Sequence, residues 1–496
     1  MSVAAPPLFA FDNTFARELP ELGEPWRGRT VERPVAVVIN GGLAEELGID
    51  PAALGTPEAA AILSGSTISE GSEPFAMAYA GHQFGGYSPR LGDGRALLLG
   101  EVIDGRGIRQ DLHLKGSGRT PFARGGDGRA AVGPMLREFA ISEAMHALGI
   151  PTTRSLAVIA TNDVVSREVP LPGAVLARVA ESHLRVGTFE YAAALRDPAL
   201  LRRLADYAIA RHYPEAAEAD SPYLAFFARV VAGQAELVAR WMLVGFVHGV
   251  MNTDNMAISG QTIDYGPCAF MDRFDEGTVF SSIDHRGRYA YGNQPAIAQW
   301  NLARLGESLL PLLGDDQAAA IPKLEAALHA FVPQYRSLLT LGMATKLGLR
   351  ASAQDSGDVE LLVDELLALL QRHQPDYTGF MRALSASLRG DDAPLAAVVT
   401  DVEAFASWLA RWRELLPAEG VALADAADAM DRLNPVYIPR NHLVEDALAA
   451  ATGGDLAPFR AMLDVLREPF AERPGLEAWA APTAEPDPGY QTFCGT

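Results

Sequence analysis

The sequence predicts an α+β chain in which a small strand-rich unit precedes a larger helical one. Short apolar runs separated by glycine-bearing turns fill residues 71–186, among them Ala96 to Val102 and Gly173 to Ala180. A single helical pattern, starting near Pro134 and stopping at Gly149, interrupts them. From about Phe189 onward the pattern changes to long stretches with helical spacing, such as Tyr223 to Gly245 and VELLVDELLALLQRH.

Residues 1–70 mix proline with short amphipathic stretches, including a helix from Gly41 to Leu47, and read as an N-terminal extension. A glycine-loaded turn from Gly85 to Gly94 then leads into the Ala96 to Val102 strand. Asp104-Gly105-Arg106-Gly107 reads as a hairpin turn, after which RQDLHLK alternates into a strand that ends at Lys115. The connection GSGRTPFARGGDGR precedes the helix, whose inner side carries Met135, Phe139 and Ser142 to Met145. SLAVIAT and GAVLARVA follow as strands separated by the hairpin-like TNDVVSREVPLP. Residues 187–342 form the mainly helical unit, broken by the loop HGVMNTDNMAISGQTIDYGP. Residues 343–496 read as a helical C-terminal extension, whose polar Pro/Gly-rich end is expected to be mobile unless something holds it.

Composition narrows the function. The chain has 496 residues, 49% hydrophobic and 21% charged, which suits two or three packed units. A formal charge of −21 disfavours nucleic acid and anionic lipid as partners, so any phosphate site has to be a local basic pocket. The opening MSVAAPPLFAFDNTFARELP carries no export or organelle signal, and no run reaches the roughly eighteen apolar residues of a membrane helix. A soluble, cytoplasmic protein is expected. Two cysteines, Cys268 and Cys494, are too few for a disulfide scaffold or a thiolate metal site.

Four groups of residues carry chemistry. Gly85, Gly86, Gly92 and Gly94 would let backbone N–H groups approach phosphate oxygens, although a plain hairpin uses the same residues and neither the Walker nor the dinucleotide pattern is present. Lys115 ends a strand and Glu138 lies 23 positions later on the next helix, so a sheet packed on that helix would pair them and hold the ammonium on nucleotide phosphates; a surface pair is the alternative. Asn255 and Asp264 supply hard oxygens nine positions apart, suited to Mg²⁺, on a loop anchored by Met251, Met256 and Ile258 and turned by Gly266. A helix-capping loop rich in Asn and Asp is the alternative there. Arg178 and Arg185, seven apart, suit triphosphate oxygens or else are solvated charges, and Asp127 fits a turn equally well.

The order of glycine loop, strand Lys115, helix Glu138 and Asn255/Asp264 loop resembles a protein-kinase-like two-lobed fold, with a small β-rich N-lobe at 71–186, a helical C-lobe at 187–342 and extensions at both ends. The wording is narrower. YAGHQFGGYSPRLGDGRALLLGE, HLKGSGRTPFARGGDGRAAVGPMLRE, HGVMNTDNM, IDYGPCAFMD and the terminal FCGT together resemble the selenoprotein O (SelO) family of protein adenylyltransferases, over nearly the whole chain. The resemblance implies transfer of AMP from ATP to Ser, Thr or Tyr hydroxyls of protein substrates, with ATP flipped relative to its orientation in kinases. It implies that Gly92, Gly94 and Arg95 line the nucleotide loop and that Lys115, oriented by Glu138, holds phosphate. Asp127, Gly128, Arg178, Arg185 and Asp264 would complete the pocket, and Asn255 with Asp264 would bind Mg²⁺, or Mn²⁺, which takes the same oxygens.

In the usual kinase loop the base follows the histidine by two residues. Here Val250 holds that place, the seven-residue spacing from His248 to Asn255 is kept, and the carboxylate that would accept the hydroxyl proton falls at Asp254. Some family members carry selenocysteine near the position of Cys494, so the resemblance also implies a reversible disulfide with Cys268, and a thiol-redox partner; two reduced thiols are the alternative. The competing functions are an ordinary kinase, against which Val250 counts, and an ATP-binding scaffold without transfer.

Overall fold

The computed structural model describes residues 8–350, 356–418, 422–484 and 490–493. In chain order its strands are β1 (Gly23–Pro25), β2 (Val35–Ile39), β3 (Phe75–Met77), β4 (Gly81–Gln83), β5 (Gly86–Ser88), β6 (Ala96–Ile103), β7 (Arg109–Lys115), β8 (Ala130–Ala131), β9 (Arg154–Ser166), β10 (Pro170–Ala180), β11 (Phe246–Val247) and β12 (Ala269–Phe270). Eight of them form one antiparallel sheet in the order β1-β3-β6-β7-β10-β9-β2, with β8 paired to β10. Two small hairpins, β4–β5 and β11–β12, stand apart from it. The other regular elements among the described residues are helices, so the α+β class holds.

Strand alternation sorts the sheet's two faces. Along β10, Val175, Ala177 and Val179 join a core with Leu97, Leu99, Leu112 and Leu114, covered by Leu43, Leu54, Ile62 and Leu63 from N-terminal helices. Ala174 and Leu176 face the other way, against Leu136, Phe139 and Ala140 of the Val132–Ala147 helix. That helix is itself backed by Val444 and Leu448 of Asn441–Thr452 and by Phe459, Met462 and Leu463 of Ala457–Leu466. It lies between a sheet and other helices, so Arg137, Glu138 and Ser142 on it are buried. It begins at Val132 rather than at Pro134 and stops before Gly149, whose φ of +75° ends it in a left-handed turn.

Two elements differ from expectation. Residues 1–70 are not an appendage: they supply β1 and β2, the two outer strands, with Val38 of β2 opposite Val158 of β9. TNDVVSREVPLP is mostly paired strand, reaching Ser166 opposite Pro170, in a ribbon on which Val164 and Val169 are exposed.

The larger helical part packs around Pro222–Val244, which touches Gln294–Leu309 and Phe331–Lys346 and ends at Gly245 in a left-handed cap. Among the described residues no helix is long and apolar enough to cross a membrane. Within the polar end, Thr492 is held: its N–H donates to the Phe280 carbonyl (2.7 Å), and its buried hydroxyl to the Pro267 carbonyl (2.6 Å). Cys494, and with it the implied link to Cys268, lies outside the described residues.

Candidate active site

His113, Lys115 and Arg178 share one face of the sheet. Lys115 ends β7 between Ala96 of β6 and Leu176 of β10, on the side where the Val132–Ala147 helix crosses. Its Nζ donates to Glu138 Oε2 at 2.5 Å and to Asp264 Oδ1 at 3.3 Å. Arg178 on β10 stands opposite His113 on β7 and reaches Asp264 (2.5 Å), Glu138 (3.3 Å) and the His113 ring (3.0 Å). Arg185, just beyond β10, lies over the Tyr79 ring, 3.4 Å from Asp264 and 4.0 Å from Asp93. Lys115, Arg178 and Arg185 are all buried. Burial alone would raise the Asp264 pKa, but the charges of Arg178, Lys115 and Arg185 outweigh it and hold the carboxyl well below its ordinary range. Asp264 sits at φ +62°, in the left-handed region.

The second half of the site is the loop between β11 and β12. His248 is fully buried, donates from Nε2 to the Ile263 carbonyl (2.9 Å), and is kept neutral by desolvation, which lowers its pKa. Val250, Met251, Met256 and Ile258 are buried. Asn255 donates through Nδ2 to the Val250 carbonyl at 3.1 Å. Asp254 is 8% exposed; Gln83 Nε2 donates to its Oδ2 at 3.2 Å, while its Oδ1 is buried with no hydrogen-bond partner. Desolvation raises its pKa to about 6, against the opposing pull of Arg185.

The β4–β5 hairpin clamps this loop at three successive residues. The His82 N–H donates to Thr253 Oγ1 (2.7 Å), Gln83 donates to Asp254, and the Phe84 N–H donates to Asn252 Oδ1 (3.2 Å). Glu190 accepts from the Thr253 hydroxyl and also pairs with the His82 ring. Gly81 is required here, because a Cβ would stand 2.5 Å from Asp254 Oδ1.

The glycine positions divide. Gly85 and Gly86 lie at the turn of the β4–β5 hairpin, over the Asp254 loop. Gly92 and Gly94 instead pack on Phe122: a Cβ at Gly92 would meet its ring at 2.5 Å, and one at Gly94 its carbonyl oxygen at 3.0 Å. Between them Asp93 is buried, accepting from the Met77 N–H (3.1 Å) and bonded to His113 Nε2 (2.9 Å). Arg95, Lys115, Glu138 and Gly266 border a cavity of about 610 Å³ whose other walls include Val132, Leu171 and Phe493. Asp127 is exposed and bonded to Arg167 at 2.9 and 3.2 Å, so its contacts are not with the Lys115–Asp264 cluster. Gly128, at φ +71°, lets its backbone cross that of Gly118 and Arg119. Cys268 is buried, and desolvation pushes its thiol up to about 12. Asp93, His113, Gln83 and Glu190 escaped the sequence reading. Asp93 passes for a turn residue in LGDG, and the others belong to no spaced pattern.

Residues 15–467 match the family described as Protein adenylyltransferase SelO. The chain belongs to this family. Curated relatives named Protein nucleotidyltransferase YdiU include those of Pseudarthrobacter chlorophenolicus, 58% identical over 499 residues, and Mycolicibacterium paratuberculosis, 58% over 500, each covering all of both chains. That of Cereibacter sphaeroides strain ATCC 17025 is 56% identical over 490 residues, 98% of this chain and the whole relative. As a SelO family member the chain is a nucleotidyltransferase that takes ATP as AMP donor and proteins as acceptors.

The oxygens of this SelO chain fit a hard divalent cation. Asn255 has its Nδ2 engaged and its carbonyl oxygen left as acceptor, and Asp264 brings a carboxylate that its cationic neighbours hold ionised. Among the described residues no three His, Cys, Asp or Glu side chains converge as a closed cage. Mg²⁺ typically takes one or two carboxylates and completes its shell with substrate phosphates and water.

Proposed function

We propose that the chain transfers AMP from ATP to Ser, Thr or Tyr hydroxyls of other proteins, with Asp254 accepting the hydroxyl proton. The observation that carries this is the Asp254 carboxylate, buried, with one oxygen unpartnered and a pKa near 6, so that it is ionised yet basic at neutral pH. The hydroxyl oxygen bonds to the α-phosphorus, the bond from that phosphorus to the bridging oxygen of the β-phosphate breaks, pyrophosphate leaves, and the proton passes to Asp254. Val250, packed where a kinase loop carries its base, offers no group for the γ-phosphoryl chemistry of kinases.

The ATP is flipped in this reading. An adenine laid against this cluster would press an apolar ring on buried Arg178 and Arg185 and half-buried Asp264, and would bring no anion to the two guanidinium groups that share that one carboxylate. A triphosphate entering tail first gives Lys115, Arg178 and Arg185 the anions they suit, and leaves the α-phosphorus outward. The cavity bordered by Arg95, Val132 and Leu171 then receives the base, beside the loop of Gly92, Gly94 and Gly128. Asp127 borders that loop rather than contacting phosphate. Asn255 and Asp264 would hold Mg²⁺ or Mn²⁺, which when bound offsets charge on the departing pyrophosphate.

The architecture belongs to the same reading. Residues 71–186, with β1 and β2 added from the N-terminal 70, act as the smaller lobe, 187–342 as the helical lobe, and 343–496 as a buttress behind the Val132–Ala147 helix. Thr492 rests on Pro267, one residue before Cys268, which supports a redox link between Cys268 and Cys494; peptide mass spectrometry without reduction reads it. The deciding experiment incubates the wild type and Asp264→Ala with ATP, Mg²⁺ and a protein lysate. Label from α-labelled ATP on protein, lost in the variant, is expected; label from γ-labelled ATP alone refutes the proposal.

A further inference from the structure

Beside Asp254 the hairpin continues into a platform of aromatic rings that the transfer chemistry does not use. Gln83 holds Asp254, and its neighbours on either side begin the platform. The His82 ring lies 4.9 Å from Tyr87 and 5.3 Å, edge-on, from Trp300; the Phe84 ring lies 5.0 Å from Tyr289. Arg288 joins the two halves, its guanidinium 4.9 Å from the Trp300 ring centre and 5.7 Å from that of Tyr289. Phe84 and Tyr87 are 40% and 46% exposed, which leaves two large rings open to a partner beside Asp254.

The charge on this platform runs against that of the chain. Arg304, also over Trp300, is answered by Glu307 at 2.8 Å. Among the described residues Arg288 has no such carboxylate partner. The acid nearest to it in sequence, Asp284, has both oxygens engaged by the backbone N–H groups of Arg288 and Tyr289 (2.9 and 2.7 Å). A half-buried arginine so placed in a chain of net charge −21 is complementary to an anionic group brought from outside. Aromatic rings with a central arginine are also the residue types that dominate polypeptide recognition.

We propose that Phe84, Tyr87, Trp300 and Arg288 form the docking surface for the acceptor polypeptide, and that they select a hydroxyl residue flanked by an acidic side chain. The hairpin then has two tasks: it holds Asp254 through Gln83 and presents the acceptor segment to it. This rests on the AMP-transfer reading above and names its substrate class.

The test is a peptide library with a fixed Ser, Thr or Tyr acceptor and each flanking position varied, labelled from α-labelled ATP beside a whole lysate. Wild type is expected to favour Asp or Glu over Lys or Arg at one flanking position by about tenfold or more. Arg288→Glu should abolish or invert that preference, and Tyr87→Ala should raise KM for every peptide several-fold. Fluorescent-ATP affinity should stay unchanged in both variants, which also verifies that they fold. Equal labelling of acidic and basic peptides, an unchanged preference in Arg288→Glu, or lysate labelling with no peptide labelled overturns the docking surface alone. Absence of label from library and lysate alike overturns AMP transfer itself, and the surface with it.

Discussion

Replacing Asp254 by Asn should stabilise the metal-free protein at neutral pH while stopping transfer. Its carboxyl is nine-tenths buried and burial holds its pKa at about 6 against an ordinary 3.8. The folded chain therefore keeps a proton that the unfolded chain releases between those values. Stability falls as pH rises through that window, and above it the cost of the buried charge is fully present. At about 1.4 kcal/mol for each pH unit, that cost is about 3 kcal/mol. Asparagine carries no charge and still offers an oxygen to Gln83 Nε2, so the substitution removes the cost and keeps the contact.

The measurement is urea unfolding of both proteins with EDTA from about pH 4 to pH 8. The variant should be about 2–3 kcal/mol more stable near pH 8, with the difference vanishing near pH 4. Transfer should fall by about 10²–10⁴, and the wild-type rate should rise through pH 6 where the variant shows no such rise. A variant less stable at pH 8, or a difference that does not change with pH, refutes the assignment of a desolvated, ionised base.

Glu138→Gln leaves Lys115 and Arg178 without the carboxylate they meet at 2.5 and 3.3 Å. Calorimetry should show a loss of about 3–5 kcal/mol, with fluorescent-nucleotide affinity weakened as well. Gly92→Ala drives a Cβ into the Phe122 ring from a backbone at φ +75°, so its melting temperature should drop by the equivalent of about 1–3 kcal/mol. Lys346 is buried and desolvation lowers its pKa to about 7, so the unfolded chain binds an extra proton between there and 10.5. Lys346→Met should therefore be more stable by several kcal/mol at and below pH 7, and the gain should fade as pH approaches 10.5 in urea titrations.

Why some of this was legible and some not follows from the range of the interactions. The pairing of Lys115 with Glu138 is nearly local, since a strand end and the next helix meet whenever the helix packs on the sheet. The outer place of β2 depends on Val38 meeting Val158, a pairing with no local signature. Asp254 was reachable through its spacing from His248, but its raised pKa comes from burial beneath residues far away in sequence, Gly81 among them, while the Gln83 amide, 171 residues earlier, donates to the carboxylate and pulls the other way. The informative strand is β7. RQDLHLK alternates, which predicts a strand with one solvated face, yet every residue from Gln110 to Lys115 is buried. Leu112 and Leu114 face one core, while His113 and Lys115 face the site, with Arg178 beside them on β10. Buried charges of this kind persist only where each finds a partner. In a central strand, the polar half of an alternating pattern therefore marks a functional face as readily as a wet one, and only the neighbouring strands decide between them.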